Sequence, residues 1–275
     1  MNEHNEGSAL GIAADVLPAG IVRVTHQAIA AQRYLTGSEA TEETADGVRP
    51  SPEHPVKLAV FDFDGTSITG NSPVMLVRYL RRSLRKTVLA RIVAWGIAYK
   101  MRLPQNEAWV RGLVFSVFRG KPVAEVNAFL WDFYDRIVNA RFRPLAAARM
   151  QEHIDQGHAV VCVSATFEPI IAEAMTEHPI MFAIATRMKA NADGTYSDVV
   201  DGLPVEGPEK LAALTRFADQ HFGKGAWELA YAYGDHHSDR TMLAAAAQSF
   251  AVTPDRPLNR TASRESYEVL DWEAD

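Results

Sequence analysis

A single cysteine, Cys162, in a chain of 275 residues excludes an internal disulfide and fits a reducing compartment. No run reaches the roughly 18 apolar residues that a membrane-spanning helix requires. The nearest, 87–99, is short and interrupted by Arg91. The first ten residues have neither a basic start nor an apolar stretch, so no secretory signal is expected there. No nucleic-acid recognition motif is present, and no such partner is expected. Acidic residues nearly vanish between Ser72 and Pro122, where eleven Lys and Arg stand against Glu107 alone. That segment carries +10 in a chain whose net charge is −6, so the remainder is strongly acidic. Such segregation reads as a surface facing anions or, more plainly, as a solvated helical face. Tyr79, Trp95 and Trp109 interleave with the charges, which keeps both readings open.

What is present has the pattern of an α/β protein. The run Lys57-Leu-Ala-Val-Phe-Asp62 is a short apolar strand ending in a carboxylate. Similar runs follow at 159–164, 180–185, 229–233 and 249–252, separated by helical patterns over 144–156, 167–178, 208–222 and 238–248. This alternation predicts a doubly wound, Rossmann-like parallel sheet. Asp193-Gly194, between two extended runs, predicts a β-hairpin. Between the first two strands, residues 72–143 are helical in pattern, with helices expected over 74–86, 88–99, 106–118 and 123–138. An insertion there is most simply a cap over the strand C-termini. The expected organisation is an extension and linker over 1–56, a core of 57–71 and 144–255, the cap of 72–143, and a tail from 256 to 275. Within the extension, 13–35 has helical spacing.

The chemistry collects at strand ends. Asp62 and Asp64 close the first strand, and a buried ionised carboxylate needs a partner. A divalent cation such as Mg²⁺ supplies one. A calcium loop starting at Asp62 fails, because Ser67 and Pro73 stand where it requires Gly and Glu. Gly234-Asp235-His236-His237-Ser238-Asp239 repeats the theme after another apolar run, with Asp235 and Asp239 four residues apart. The two histidines read as loop residues at the edge of a site. Ser164 ends the second strand before Ala165-Thr166, a position suited to cradling phosphate at a helix N-terminus or merely to capping the helix. Lys210, one turn into a helix, reads on its own as solvated surface.

Taken together, Asp62-Phe-Asp64-Gly65-Thr66, Ser164, Lys210 and Gly234-Asp235 with Asp239 resemble the haloacid dehalogenase superfamily of phosphatases in order and spacing. The helical insertion and the hairpin before Lys210 are similar to the subfamily of phosphoserine phosphatases. The resemblance implies Asp62 as nucleophile and Asp64 as acid and base. It implies Mg²⁺ held by Asp62, Asp235 and the Asp64 carbonyl, with Asp239 in support. Gly65, Thr66, Ser164, Ala165 and Lys210 would bind phosphate. It also implies a cytoplasmic phosphomonoester hydrolase working through an aspartyl-phosphate. Phosphoserine phosphatases usually carry Glu where this chain has Asn71, which with the basic segment favours a more anionic substrate. Arg111 and Arg119 are the candidate cap residues for specificity. The segment Leu76-Val-Arg-Tyr-Leu-Arg-Arg82 and Val252-Thr-Pro254 also resemble the phosphatidylglycerophosphatase C family, which implies a lipid phosphate and peripheral contact with an anionic inner membrane face. The alternatives are a phosphoserine phosphatase, a phosphotransferase, or a peripheral anion-binding protein.

Overall fold

A computed structural model describes residues 21–22, 50–80 and 117–273. Apolar, β-branched runs become the strands. In chain order these are β1 (Ile21–Val22), β2 (Val56–Phe61), β3 (Ala159–Phe167), β4 (Phe182–Thr186), β5 (Met188–Ala190), β6 (Tyr196–Val200), β7 (Trp227–Gly234), β8 (Gln248–Val252) and β9 (Glu268–Leu270). Seven of them form one sheet in the order β1-β4-β3-β2-β7-β8-β9, and every pairing except that of β1 with β4 is parallel. From β2 at the centre the chain builds outward through β3 and β4, then returns to the other side of β2. The strand order therefore reverses beside β2. That reversal opens a crevice at the C-terminal strand ends, where sheets of this kind bind ligands. Both faces of the central strands are covered, which is why Leu58, Ala59, Val60 and Phe61 are all fully buried rather than alternating. The fold is the α/β doubly wound sheet that the alternation predicts.

Helices connect the strands: α1 (Ser72–Leu80), α2 (Val123–Phe133), α3 (Pro144–Asp155), α4 (Glu168–Glu177), α5 (Pro208–His221), α6 (Arg240–Ala245) and α7 (Arg256–Glu265). Pro144, Pro169, Pro208 and Pro257 lie in the first turns of α3, α4, α5 and α7, where a missing N–H costs nothing. Of the expected cap helices, the first and last begin as α1 and α2, the latter continuing through a π-helical turn over Tyr134–Val138. Those over 88–99 and 106–118 lie outside the described residues, apart from 117–118, which belong to a turn. The stretches just before α1 and just before α3 run side by side. Ile68 bridges Phe142, the Thr69 N–H donates to Arg141 O at 2.8 Å, and the Arg143 N–H donates to Ser67 O at 2.9 Å. The β5–β6 hairpin pairs with the segment just before α2, with Gly120 N–H donating to Tyr196 O at 2.8 Å and Tyr196 N–H to Lys121 O at 2.9 Å.

Two expectations need correction. Ile21–Val22, which the spacing places inside a helix, form β1 against β4, because an open sheet edge satisfies backbone groups that a weak periodicity does not. The segment from 256 onward, expected to be a tail, supplies α7 and β9, the sixth parallel strand. Asp255 caps α7 by accepting from the Leu258 N–H at 2.7 Å, and Leu258 and Ala262 are fully buried. A three-residue edge strand of Glu268-Val-Leu270 is too short to be read from its pattern.

Candidate active site

The catalytic-looking loop starts where β2 stops. The Asp62 N–H donates to Tyr233 O at 3.0 Å, which carries the β2–β7 pairing one residue beyond the strand and sets Asp62 next to the end of β7. The Ser67 hydroxyl then donates to Asp62 O at 2.6 Å, while the N–H groups of Ser67 and Ile68 both donate to Phe63 O, at 2.9 and 3.0 Å. These bonds close 62–68 into a tight turn. Gly65 sits in it at φ +81°, and a Cβ there would lie 2.1 Å from Asp235 Oδ2. Glycine is required twice over, by conformation and by the approach of the carboxylate.

Asp62, Asp235 and Asp239 place ligand atoms within 4.8 Å of one another. Lys210, from the first turn of α5, reaches between two of them: its Nζ lies 2.7 Å from Asp62 Oδ1 and 2.6 Å from Asp239 Oδ1. Asp239 is fully buried and its second oxygen accepts from the His236 N–H at 3.2 Å, so both of its oxygens are engaged. Asp235 accepts from the Thr66 hydroxyl at 3.2 Å. Asp64 turns away from this cluster. Its Oδ1 accepts from the Ser72 N–H at 2.6 Å and its Oδ2 from the Thr166 hydroxyl at 2.5 Å. Ser164 Oγ accepts from the Thr166 N–H at 3.0 Å, which leaves the serine's own proton available to a ligand.

Burial governs the electrostatics. It pushes Asp62 well above the usual carboxylate range; Lys210 opposes this, and Asp239 and Asp235 add to it. Burial, followed by the charge of Asp239, pushes Asp235 up to about 6. Asp64 is raised by burial as well, with the hydrogen bonds from Thr166 and Ser72 working against the rise. Burial alone would lower Lys210, yet Asp239 and Asp62 outweigh it and hold the ammonium charged. Three carboxylates thus surround one lysine, which pairs with the buried Asp62 and Asp239 while Asp235 stays partly exposed. That imbalance, and an all-oxygen donor set, suit a hard divalent cation.

The structure brings together Asp62, Asp64, Gly65, Thr66, Ser164, Lys210, Asp235 and Asp239 from four separate strand ends and helix starts. Ala165 lies half-exposed between Ser164 and Thr166. Lys210, read alone as surface, is 3% exposed. The specificity candidates fare differently. Asn71 Oδ1 accepts from the Val74 N–H at 3.1 Å, so this side chain caps α1. Arg119 forms an exposed pair with Asp198 at 3.4 Å, and Arg111 lies outside the described residues. Two residues have no signal in the sequence. Ser72 gives its N–H to Asp64 from the first position of α1. Arg143, 4% exposed, donates to Gly65 O at 3.3 Å and to Trp272 O at 2.8 Å, which ties the loop to the C-terminal segment.

A doubly wound sheet whose switch point gathers three carboxylates, a buried lysine and a serine of β3 has the chemistry that phosphoryl transfer needs. Residues 59–244 match the model of the haloacid dehalogenase-like hydrolases. The chain belongs to that family, and several of its relatives are named as phosphatases. It is 24% identical over 221 residues to a histidinol-phosphatase of Neisseria meningitidis, covering 78% of this chain and 98% of that protein. It is 26% identical over 232 residues to a phosphoserine phosphatase of Mycobacterium tuberculosis, covering 82% and 73%. Among solved structures, a protein of unknown function from Bordetella pertussis superimposes with a TM-score of 0.71 at 21% identity, covering 79% of this chain and 99% of that one. A substrate-bound phosphoserine phosphatase superimposes at 0.56 and 19% identity, covering 78% and 92%.

If the carboxylate cluster takes up a cation, Mg²⁺ stabilises the fold. A ligand at about a hundred times its Kd contributes ~2.7 kcal/mol. In a chain of this size that raises Tm by about 5–10 °C. Differential scanning fluorimetry with saturating MgCl₂ against EDTA measures this, and coincident melting curves would remove the cation from the site.

Proposed function

We propose that the protein is a Mg²⁺-dependent phosphomonoesterase that works through an aspartyl-phosphate on Asp62. The observation that carries this reading is the division of labour between two carboxylates two residues apart. Asp62 joins Lys210 and the acidic cluster, whereas Asp64 is held by Ser72 and Thr166. The first arrangement suits an ionised nucleophile. The second, buried and raised, suits a group that gives and takes a proton.

Asp62, Asp235 and the Asp64 carbonyl would hold Mg²⁺, with Asp239 as a buttress because both its oxygens already accept hydrogen bonds. The cation would supply positive charge that keeps Asp62 ionised and neutralises phosphate oxygens. Asp62 attacks phosphorus, Asp64 protonates the departing oxygen, and Asp64 then takes a proton from the water that frees phosphate. Ser164 and Lys210 donate to phosphoryl oxygens, with the loop N–H groups around Gly65 and Thr66, and Ala165 lines the cradle. Stabilising that charge is the main task in phosphoryl transfer.

For the substrate, an anionic small-molecule phosphate ester fits the basic segment and the absence of an acid at Asn71. The relatives named for histidinol phosphate and phosphoserine place both compounds in any substrate panel. The lipid version of the reading rests on the segments 76–82, of which 76–80 are described, and 252–254, and no helix among the described residues is long and apolar enough to cross a membrane.

Acid-quenching the enzyme with radiolabelled phosphate ester should leave a hydroxylamine-labile phosphoprotein. It should be absent in Asp62→Asn and should accumulate in Asp64→Asn, which lacks the base for its hydrolysis. Turnover with no labile phosphate on the protein would replace this mechanism with direct attack by water.

A further inference from the structure

We infer that Thr166, together with Ser72, is a positioning residue for Asp64 that couples the cap to leaving-group protonation. This inference rests on the role of Asp64 proposed above. An aspartate at the end of a turn has a broad second torsion, so its carboxylate needs outside contacts to hold one direction. Asp64 has two. The Thr166 hydroxyl donates to Oδ2 at 2.5 Å and the Ser72 N–H donates to Oδ1 at 2.6 Å. The two donors are themselves joined, with Ser72 Oγ and Thr166 Oγ1 2.8 Å apart.

Both donor residues are fully buried. A buried hydroxyl without a partner is costly, so this pair must keep the arrangement or lose stability. The geometry also spans two parts of the fold. Thr166 belongs to β3, at the point where its register with β4 shifts between Ser164 and Phe167. Ser72 is the first residue of α1, the helix that opens the cap insertion. Thr166 further gives its N–H to Ser164 Oγ at 3.0 Å, so one residue sets both the acid and the phosphate-facing serine. Asp64 keeps this orientation only while the start of α1 sits against β3.

Position matters more for a poor leaving group than for a good one. An alkoxide must be protonated as it departs, whereas an activated phenolate leaves without help. General acid catalysis is worth roughly 10²–10⁴-fold where it is needed. A positioning defect therefore falls unevenly across substrates, and a structural defect falls evenly.

The test is kcat/KM for Thr166→Val, Thr166→Ser and Ser72→Ala on an alkyl phosphate monoester and on p-nitrophenyl phosphate, with Asp64→Asn in parallel. Thr166→Val should lose at least about ten times more activity on the alkyl ester than on the aryl ester, a fraction of the full general-acid effect. Thr166→Ser, which keeps the hydroxyl, should stay within about threefold of wild type on both. Ser72→Ala keeps its N–H and should fall between the two. If Thr166→Val does not fold, Thr166→Ala carries the same comparison. Equal losses on the two esters, or none, for the variants without the hydroxyl would overturn the inference while Asp64→Asn still discriminates between the esters. An Asp64→Asn enzyme that fails to discriminate would overturn the role of Asp64 itself.

Discussion

Asp62→Asn is expected to lower kcat by at least about 10³-fold, because an amide is neither a nucleophile nor a charge partner for Lys210. The same change should make the cation-free fold more stable. Burial raises Asp62 above its unfolded value, with Asp239 and Asp235 pushing the same way, so its ionised form disfavours the fold. A carboxyl raised on folding contributes stability below its unfolded pKa of about 4 and loses it as pH rises through the folded value. At neutral pH the neutral asparagine removes that burden, so Tm in EDTA should rise. The shift produced by Mg²⁺ should shrink, since one ligand has gone. A variant that melts lower in EDTA would contradict the electrostatic account, and one that retains full activity would dismiss Asp62 as the nucleophile.

Ending the chain after Asp255 is expected to abolish folding at ordinary temperature. The deletion removes α7 and β9, uncovers the β8 edge over Phe250–Val252, and deletes the buried Leu258, Ala262 and Trp272. Burying one large apolar side chain contributes about 1.5–3 kcal/mol, so Leu258 and Trp272 alone account for about 3–6 kcal/mol. That is comparable with the whole stability of a typical domain. The truncation also takes away Trp272 O, one of the two carbonyl partners of Arg143, whose guanidinium would remain buried against Gly65. Circular dichroism and size-exclusion chromatography of the truncated chain test this. A soluble, cooperatively melting product with Mg²⁺-dependent activity would return these residues to the status of a tail. Arg143→Lys in the full chain separates the two effects, since it leaves β9 in place and alters only the link to the loop.

The core of the site was legible in the sequence because its residues serve local needs that leave a local trace. Asp62 follows a run of apolar residues too regular to be anything but a buried strand, and Gly65 marks a turn that admits no Cβ. Asp235 and Asp239 sit at the end of a second such run, held by the short helical turn of 237–239. Lys210 was legible only through its place in the series, because nothing around it reveals that α5 buries it between Asp62 and Asp239.

What the sequence by itself determined was therefore the five central parallel strands, their alternation with helices, and the set of candidate site residues. Each follows from short-range periodicity or from chemistry at a strand end. Only the tertiary structure decided what those side chains face. It turned Asn71 into a helix cap and paired Arg119 with Asp198. It gave Asp64 its partners in Ser72 and Thr166, 8 and 102 residues away, and drew Arg143 and Trp272 behind the loop. The physical reason is range. Periodicity reports burial along one element, whereas hydrogen-bond direction depends on how separate elements meet, and that meeting leaves no pattern in neighbouring residues.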